Sequence, residues 1–272
     1  MSEIVCDICF RHCHIAEVKT GFCRARMNRN GENICVSYGR LTALAMDPVE
    51  KKPLARFHPG SWILSAGSYG CNLSCPFCQN HEISMRDQDT VRWYAYSAEE
   101  LAEIILREED NLGIAFTYNE PLVAWEYARD VAALVKPHGK KIVFVSNGCV
   151  SDRVLDEVLP FTDAVNIDLK GDAEFYRELG GDYDMVHHAI ERFAQACHTE
   201  VTILAVPGKS DSAAFVEEQA KWLAGIDPDI VLHISRYFPR YRYTVPATDP
   251  QVIYSLQEHA RKYLRYVYTG NV

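Results

Sequence analysis

From residue 61 onward the chain alternates between short, continuously apolar runs and longer segments whose apolar residues recur at helical spacing. The apolar runs are SWILSAG (61–67), LGIAFT (112–117), KIVFVS (141–146), DAVNIDL (163–169), EVTILAVP (200–207), DIVLHIS (229–235) and RYVYT (265–269). Helical patterns lie between them at 97–109, 122–139, 151–159, 184–198, 212–225 and 249–264. The first of these opens on Ser97 with Glu100 three residues on, a capping-box signature. Runs that are apolar throughout, rather than at alternate positions, mark strands buried on both faces. Their alternation with helices implies a parallel sheet with the helices outside it. Six strand–helix repeats are too few for a closed eight-stranded barrel, so the pattern predicts an α/β fold built as a partial (β/α)6 barrel. In such a sheet chemistry collects at the C-terminal ends of the strands.

The front of the chain has a different texture. Residues 1–30 are rich in Cys, Arg, His and Asn and show neither period, as expected of a small segment held by a metal. ICVSYGRLTALAM (34–46) reads as a hairpin turning at Tyr38-Gly39-Arg40. DPVEKKPLARFHPG (47–60) carries three prolines and reads as a connecting loop. The expected division is therefore a Cys-rich segment and hairpin at 1–60, followed by the barrel at 61–272.

Composition narrows the function. With 272 residues, 48% of them apolar, the chain can bury one sizeable core. No run approaches the roughly 18 apolar residues of a membrane span. MSEIVCDICF lacks the basic start and apolar stretch of a signal peptide. A cytoplasmic location is expected, where thiols stay reduced. The ten cysteines then argue for metal binding or catalysis before disulfides. A net charge of −9 repels polyanions. RYFPRYRY (236–243) interleaves arginines with aromatics, but in a loop this more often makes a packed rim, and no nucleic-acid partner is expected.

Three thiols, Cys71, Cys75 and Cys78, fall within GCNLSCPFCQN directly after the first apolar run. A structural zinc site wants four ligands, and nearby His81 would complete one. An iron–sulfur cluster usually takes four cysteines, so three leave one iron open to a substrate. Their place at a strand's C-terminal end favours chemistry over a structural clip. A second group, Cys6, Cys9, Cys13 and Cys23, has the spacing C-x2-C-x3-C-x9-C. It suits a closed tetrahedral zinc site or an auxiliary iron–sulfur cluster. His12 and His14 read as surface residues beside it, and Cys197 as a buried, inert thiol.

C-x3-C-x2-C with an aromatic, Phe77, before its last cysteine resembles the signature of radical S-adenosylmethionine (SAM) enzymes. The resemblance implies a 4Fe-4S cluster on Cys71, Cys75 and Cys78. Its free iron would bind the amino and carboxylate groups of SAM, with Phe77 near the adenine. FTYNEPL (116–122) resembles the Gly-Gly-Glu-Pro motif of that family, with Tyr118 and Asn119 in place of the glycines. Glu120 would hold the amino group of SAM in a charge-assisted hydrogen bond, with Asn119 as a further acceptor. VSNG (145–148) and NIDLKG (166–171) resemble the Thr-Asn-Gly and Asp-Leu-Lys motifs of glycyl-radical activating enzymes. Carried over, Ser146 and Asn147 line the SAM site, and Asp168 and Lys170 sit by the methionine carboxylate. AVPGKSD (205–211) resembles their Val-Pro-Gly turn, which would bring Pro207 past the adenine. The Cys-rich front, EKKPL (50–54), the triplet followed by Gln-Asn, and YNEP together resemble pyruvate formate-lyase-activating-enzyme homologues of the AmmeMemoRadiSam system.

The implied chemistry is reductive cleavage of SAM to a 5′-deoxyadenosyl radical, which takes hydrogen from an unidentified small molecule or peptide. A flavodoxin- or ferredoxin-type protein would supply the electron. Two departures bear on the partner. Val145 stands where activating enzymes of the pyruvate formate-lyase type carry a cation-ligating Asp, and SRYFP (235–239) replaces a Tyr-His pair. An activase that installs a glycyl radical on a partner enzyme is the alternative enzymatic reading. A non-catalytic metal-binding scaffold is the alternative outside enzymes. Tyr118, Arg236 and Tyr237, at strand ends, are the expected substrate contacts.

Overall fold

The computed structural model describes residues 3–272. Its centre is an eight-stranded sheet. In chain order the strands are β1 (Ala43–Pro48), β2 (Trp62–Gly67), β3 (Asn111–Phe116), β4 (Lys141–Ser146), β5 (Ala164–Asp168), β6 (His198–Ala205), β7 (Val231–Arg236) and β8 (Val267–Gly270). Each pairs with the next in sequence. All pairs are parallel except β1–β2, which is antiparallel. Strands β1 and β8 are the two ends of the order and do not pair, so the barrel is partial. Parallel strand β8 is the last short strand expected at 265–269 and follows the six repeats.

The outer helices are α1 (Ala98–Arg107), α2 (Trp125–Val135), α3 (Asp152–Val158), α4 (Ala173–Leu179), α5 (Tyr183–Ala196), α6 (Ala213–Ile226) and α7 (Pro250–Ala260). Side chains hold several of their starts. The Ser97 hydroxyl accepts from the Glu100 amide and the Glu100 carboxylate accepts from the Ser97 amide, completing the box expected from sequence. Asp172, Asp182, Ser212 and Asp249 cap α4 to α7. Helix α4 was not expected. It is a seven-residue helix, too short to show periodicity, but its Asp172 cap was legible.

Strand β1 arises from residues expected in a hairpin at 34–46. The chain does turn at 37–40, where the Arg40 amide donates to the Ser37 carbonyl. The segments that leave this turn pair elsewhere. Glu32–Cys35 pairs antiparallel with Arg26–Arg29, Arg40–Leu41 with Tyr94–Ala95, and β1 with β2. The true hairpin turns at Asn30-Gly31, with φ of 56° and 82°. Asn-Gly is the strongest two-residue hairpin signal, because both positions need positive φ. Residues 3–30 therefore hold strand structure, including the Ile4–Val5 and His14–Ile15 pair.

The proline-rich loop 49–60 plugs the barrel at the N-terminal ends of its strands. Val49, Leu54 and Phe57 bury against Ile63, Ala115, Val143 and Ala164 there. Glu200, fully buried, fastens the loop. Its carboxylate accepts the Ala55 and Arg56 amides at 2.9 and 2.8 Å, and His198 and His233 at 2.8 and 2.5 Å. With this end closed, the opposite mouth is the one left for chemistry. No helix of the described residues is long and apolar enough to cross a membrane.

Candidate active site

A cavity of about 450 Å³ opens at the C-terminal mouth of the barrel. Its lining includes Cys71, Cys75 and Cys78, and no other cysteine or histidine. The loop that carries these thiols leaves the end of β2 and is held from three sides. From β3, the Asn119 side chain accepts the Ser68 amide at 3.0 Å and donates to the Gly70 carbonyl at 3.0 Å. From β4, the Asn147 amide group donates to Asn72 Oδ1 at 2.9 Å, while Asn72 donates to the Cys149 carbonyl at 2.7 Å. From the Cys-rich front, Arg11 donates to the Asn72 carbonyl at 2.6 Å and to the Gly180 carbonyl at 2.7 Å. Gly70 has φ of +83°, and a Cβ there would meet the Cys23 carbonyl oxygen at 2.1 Å. Only glycine fits this close approach between the front segment and the thiol loop.

Burial raises the pKa of Cys75 to about 11 and that of Cys71 well above the ordinary thiol value. These sulfurs ionise only beside a cation, as a coordinating metal makes them do. Two donors already point at the Cys71 sulfur, the Leu73 amide at 3.4 Å and Asn147 Nδ2 at 3.7 Å. His81 does not join the thiols. It donates to the Cys78 carbonyl at 3.2 Å and stacks on Tyr241 with centroids 4.3 Å apart. The three thiols do not stand close enough to share one metal ion, so the donor set suits a multinuclear group held by one thiolate at each of three corners, with a fourth position left open.

Glu120 lines the cavity at 1% exposure. It accepts from the Ser146 hydroxyl at 2.8 Å, the Asn147 amide at 2.7 Å and the Leu122 amide at 3.0 Å. Burial still pushes its carboxyl up to about 7. Asp168 and Lys170 also line the cavity and pair at 3.1 Å. Burial opposes the charge on Lys170, but the carboxylate of Asp168 and the sulfur of Cys75 outweigh it and raise its pKa well above normal. Phe77 packs against Phe175, Tyr237 and Tyr243, forming an aromatic wall.

Of the residues expected around a cofactor, Phe77, Asn119, Glu120, Ser146, Asn147, Asp168 and Lys170 all line this cavity. Pro207 does not; it follows β6 outside the lining. Tyr118, Arg236 and Tyr237 also reach the cavity, but with committed polar ends. The Tyr118 hydroxyl donates to Asp47, that of Tyr237 to the Tyr243 carbonyl, and Arg236 Nε to the Thr248 carbonyl. Thr202, Ser235, Arg240 and Asn271 are also part of the wall; Ser235 and Arg240 lie in the SRYFP and RYFPRYRY stretches, the latter expected as a packed rim, and nothing in the sequence singled out Thr202 or Asn271.

Cys6, Cys9 and Cys23 are buried and Cys13 is half-buried, all as free thiols. Burial raises the pKa of Cys9 and Cys23, with smaller contributions from Cys6 and Cys13 on Cys9 and from Cys9 and Cys6 on Cys23, so the four lie within electrostatic reach. Among the described residues, however, no three His, Cys, Asp or Glu side chains stand close enough to share one metal ion. Cys197 is half-buried rather than buried, just ahead of β6.

An uncharacterized protein of Methanocaldococcus jannaschii is 34% identical over 288 residues, spanning 100% of this chain and 82% of its own length. The 4-hydroxyphenylacetate decarboxylase activating enzyme of Clostridioides difficile (strain CD196) is 30% identical over 134 residues, 45% of this chain and 42% of that enzyme. Solved structures share the fold at low identity. A radical SAM methyltransferase from Sphaerobacter thermophilus has a TM-score of 0.60 at 16% identity, covering 78% of this chain and 67% of its own. A domain of a pyruvate-formate lyase-activating enzyme from Bacteroides vulgatus has a TM-score of 0.51 at 18% identity, covering 58% of this chain and 99% of that domain. A profile of the Radical SAM superfamily matches residues 66–217. That match begins inside β2 and ends in α6, so it runs through the thiol loop and the cavity-lining ends of β3, β4 and β5. By sequence as well as by fold, this chain belongs to the radical SAM superfamily of enzymes.

Proposed function

We propose that Cys71, Cys75 and Cys78 hold a 4Fe-4S cluster whose open iron binds SAM in the adjoining cavity, and that the enzyme abstracts hydrogen from a small molecule or peptide. One observation carries this reading: three thiols, without a fourth cysteine or histidine, face one cavity at the C-terminal mouth of the barrel. A cavity of about 450 Å³ falls in the usual range for small-molecule sites. The bound cofactors supply the electron and the radical, which is the hard part of the chemistry.

The protein's own groups position and shield. Asn119, Asn147 and Arg11 fix the thiol loop from separate elements, so the three sulfurs are held before any group binds. The Leu73 and Asn147 donors stabilise negative charge on the Cys71 sulfur and so tune the potential of what it holds. Lys170 gives the cavity a fixed cation suited to a carboxylate. Glu120 gives it a buried carboxylate suited to an ammonium. The Phe77–Phe175–Tyr237–Tyr243 wall keeps water from one side of the site.

The test is anaerobic. Purified, reconstituted protein should contain iron and sulfide and should form 5′-deoxyadenosine from SAM with a chemical reductant. A flavodoxin- or ferredoxin-type protein should replace that reductant. Zinc at the triplet without iron would leave only the scaffold reading. For Glu120→Gln we expect SAM to bind about tenfold more weakly or worse, the loss of one hydrogen bond between charged groups. Equilibrium dialysis on the reconstituted protein measures it, and unchanged affinity would remove Glu120 from this role.

The similarity to the Clostridioides difficile activating enzyme supports a second reading, an activase acting on a partner protein. Val145 on the cavity wall and the committed Tyr237 hydroxyl weigh against it. A glycyl-radical signal on an added partner would decide for it. We carry Cys6, Cys9, Cys13 and Cys23 as a second metal site, zinc or an auxiliary cluster; their electrostatic reach of one another supports it, while their spacing, too wide for three to share one ion, weighs against it. Metal analysis of a variant lacking all three triplet cysteines isolates that site, and a metal-free result removes it.

A further inference from the structure

The end of β7 and the loop after it bring two arginines to the cavity, Arg236 and Arg240. Arg236 spends only its Nε, on the Thr248 carbonyl, and its guanidinium lies 4.7 Å from the Phe238 ring centre. Arg240 is exposed, and among the described residues its side chain has no hydrogen bond and no carboxylate partner. The same loop is fastened over the cysteine loop. The Arg242 amide donates to the Pro76 carbonyl at 2.8 Å, and Tyr241 stacks on His81. The two guanidinium groups are thus carried on a wall anchored to the thiol loop.

The remaining charges in the cavity are taken up by protein partners and, on the reading above, by SAM. Glu120 is held by Ser146, Asn147 and Leu122, and Asp168 by Lys170. What the cavity offers a second ligand is therefore cationic, in a chain with 37 acidic and 28 basic residues. A guanidinium presents paired N–H donors in a plane, which match the oxygens of a carboxylate or phosphate. We propose that Arg236 and Arg240 bind an oxyanion of the substrate, and that the substrate is a small organic acid bearing a carboxylate or a phosphoryl group. This rests on the radical SAM reading of the cavity. It assigns a role to the RYFPRYRY segment that a packed rim does not require.

Succinate and methylphosphonate serve as probes, with succinamide as the neutral control. Each is titrated into reconstituted protein with SAM bound, anaerobically and at constant ionic strength, and followed by saturation-transfer NMR. Binding of one or both anions, and not of succinamide, is expected. Arg240→Gln should weaken it about tenfold or more, as loss of a charged hydrogen-bond donor does. Arg236→Gln should do the same, and Arg261→Gln, just past the end of α7, should change nothing. Succinate alone would identify a carboxylate substrate, and methylphosphonate alone a phosphoryl one. Binding of neither anion, or equal binding by wild type and Arg240→Gln, would overturn the proposal. The wild-type protein is assayed in parallel for 5′-deoxyadenosine. Failure there overturns the radical SAM reading and is a separate result from the NMR titration.

Discussion

Replacing Cys75 by alanine should strip the reconstituted protein of iron at the triplet and reduce 5′-deoxyadenosine formation to the level seen with reductant alone. The three sulfurs do not have equivalent surroundings. Cys71 receives the Leu73 amide and Asn147, whereas Cys75 is the sulfur that acts on Lys170. Removing Cys75 leaves two thiols, one of them costly to ionise because of its burial. Two sulfurs cannot hold three corners of a cluster, and the open corner loses its distinction from the others. The control is Cys197→Ala, just ahead of β6 and away from the cavity lining. It should retain iron and activity. Metal analysis, the visible absorption of the cluster and product formation are read on both variants. A Cys75→Ala protein that kept its iron and cleaved SAM would remove the triplet as the cluster site.

The barrel was legible because its strands are buried on both faces and its helices are amphipathic. KIVFVS, for instance, is strand β4 with the same bounds, Lys141–Ser146. What escaped were elements whose identity depends on distant partners. Residues 43–46 look like half a local hairpin and 47–48 like the start of a loop, but β2, across the rest of that proline-rich loop, is their partner. Helix α4 spans too few turns for a period to register. The site divides in the same way. Thiol spacing and residues directly after a strand announce themselves, and so Cys71, Glu120, Asn147 and Lys170 could be named. Arg11 and Asn72 bond across 61 positions of sequence, and nothing in either neighbourhood signals it. Arg240 reaches the cavity through the path of a loop, a tertiary fact that composition alone reads as a surface charge. Pro207 shows the converse: a motif match places a residue near a strand end, and it still falls outside the cavity lining.

At the other end of the barrel, Glu200→Ala should cost about 3–5 kcal/mol, the usual effect of breaking a buried charged network from one side. Burial alone would raise the Glu200 pKa, but bonds from His198, His233 and the Arg56 amide outweigh it and bring the carboxyl from 4.5 down to about 2. The linkage sign follows from that depression. The contribution is fully present above the unfolded value near 4.5 and is lost as pH falls through about 2. At about 1.4 kcal/mol per unit this amounts to about 3 kcal/mol, consistent with the mutational figure. Alanine also leaves the Ala55 and Arg56 amides without their acceptor, so the loop that plugs the barrel loosens. Near neutral pH the melting temperature should drop by roughly 10 °C. Glu200→Gln keeps an acceptor oxygen without the charge. It should fall between the two and lose the part of the acid-induced destabilisation between pH 4.5 and about 2 that Glu200 causes. SAM binding at a temperature where both variants are folded should be unchanged, because Glu200 lies at the end opposite the cavity. Thermal melts at neutral and acid pH decide the matter. A melting temperature within about 2 °C of wild type would show that the plug is held by its apolar contacts, Val49, Leu54 and Phe57, and that the carboxylate is incidental to it.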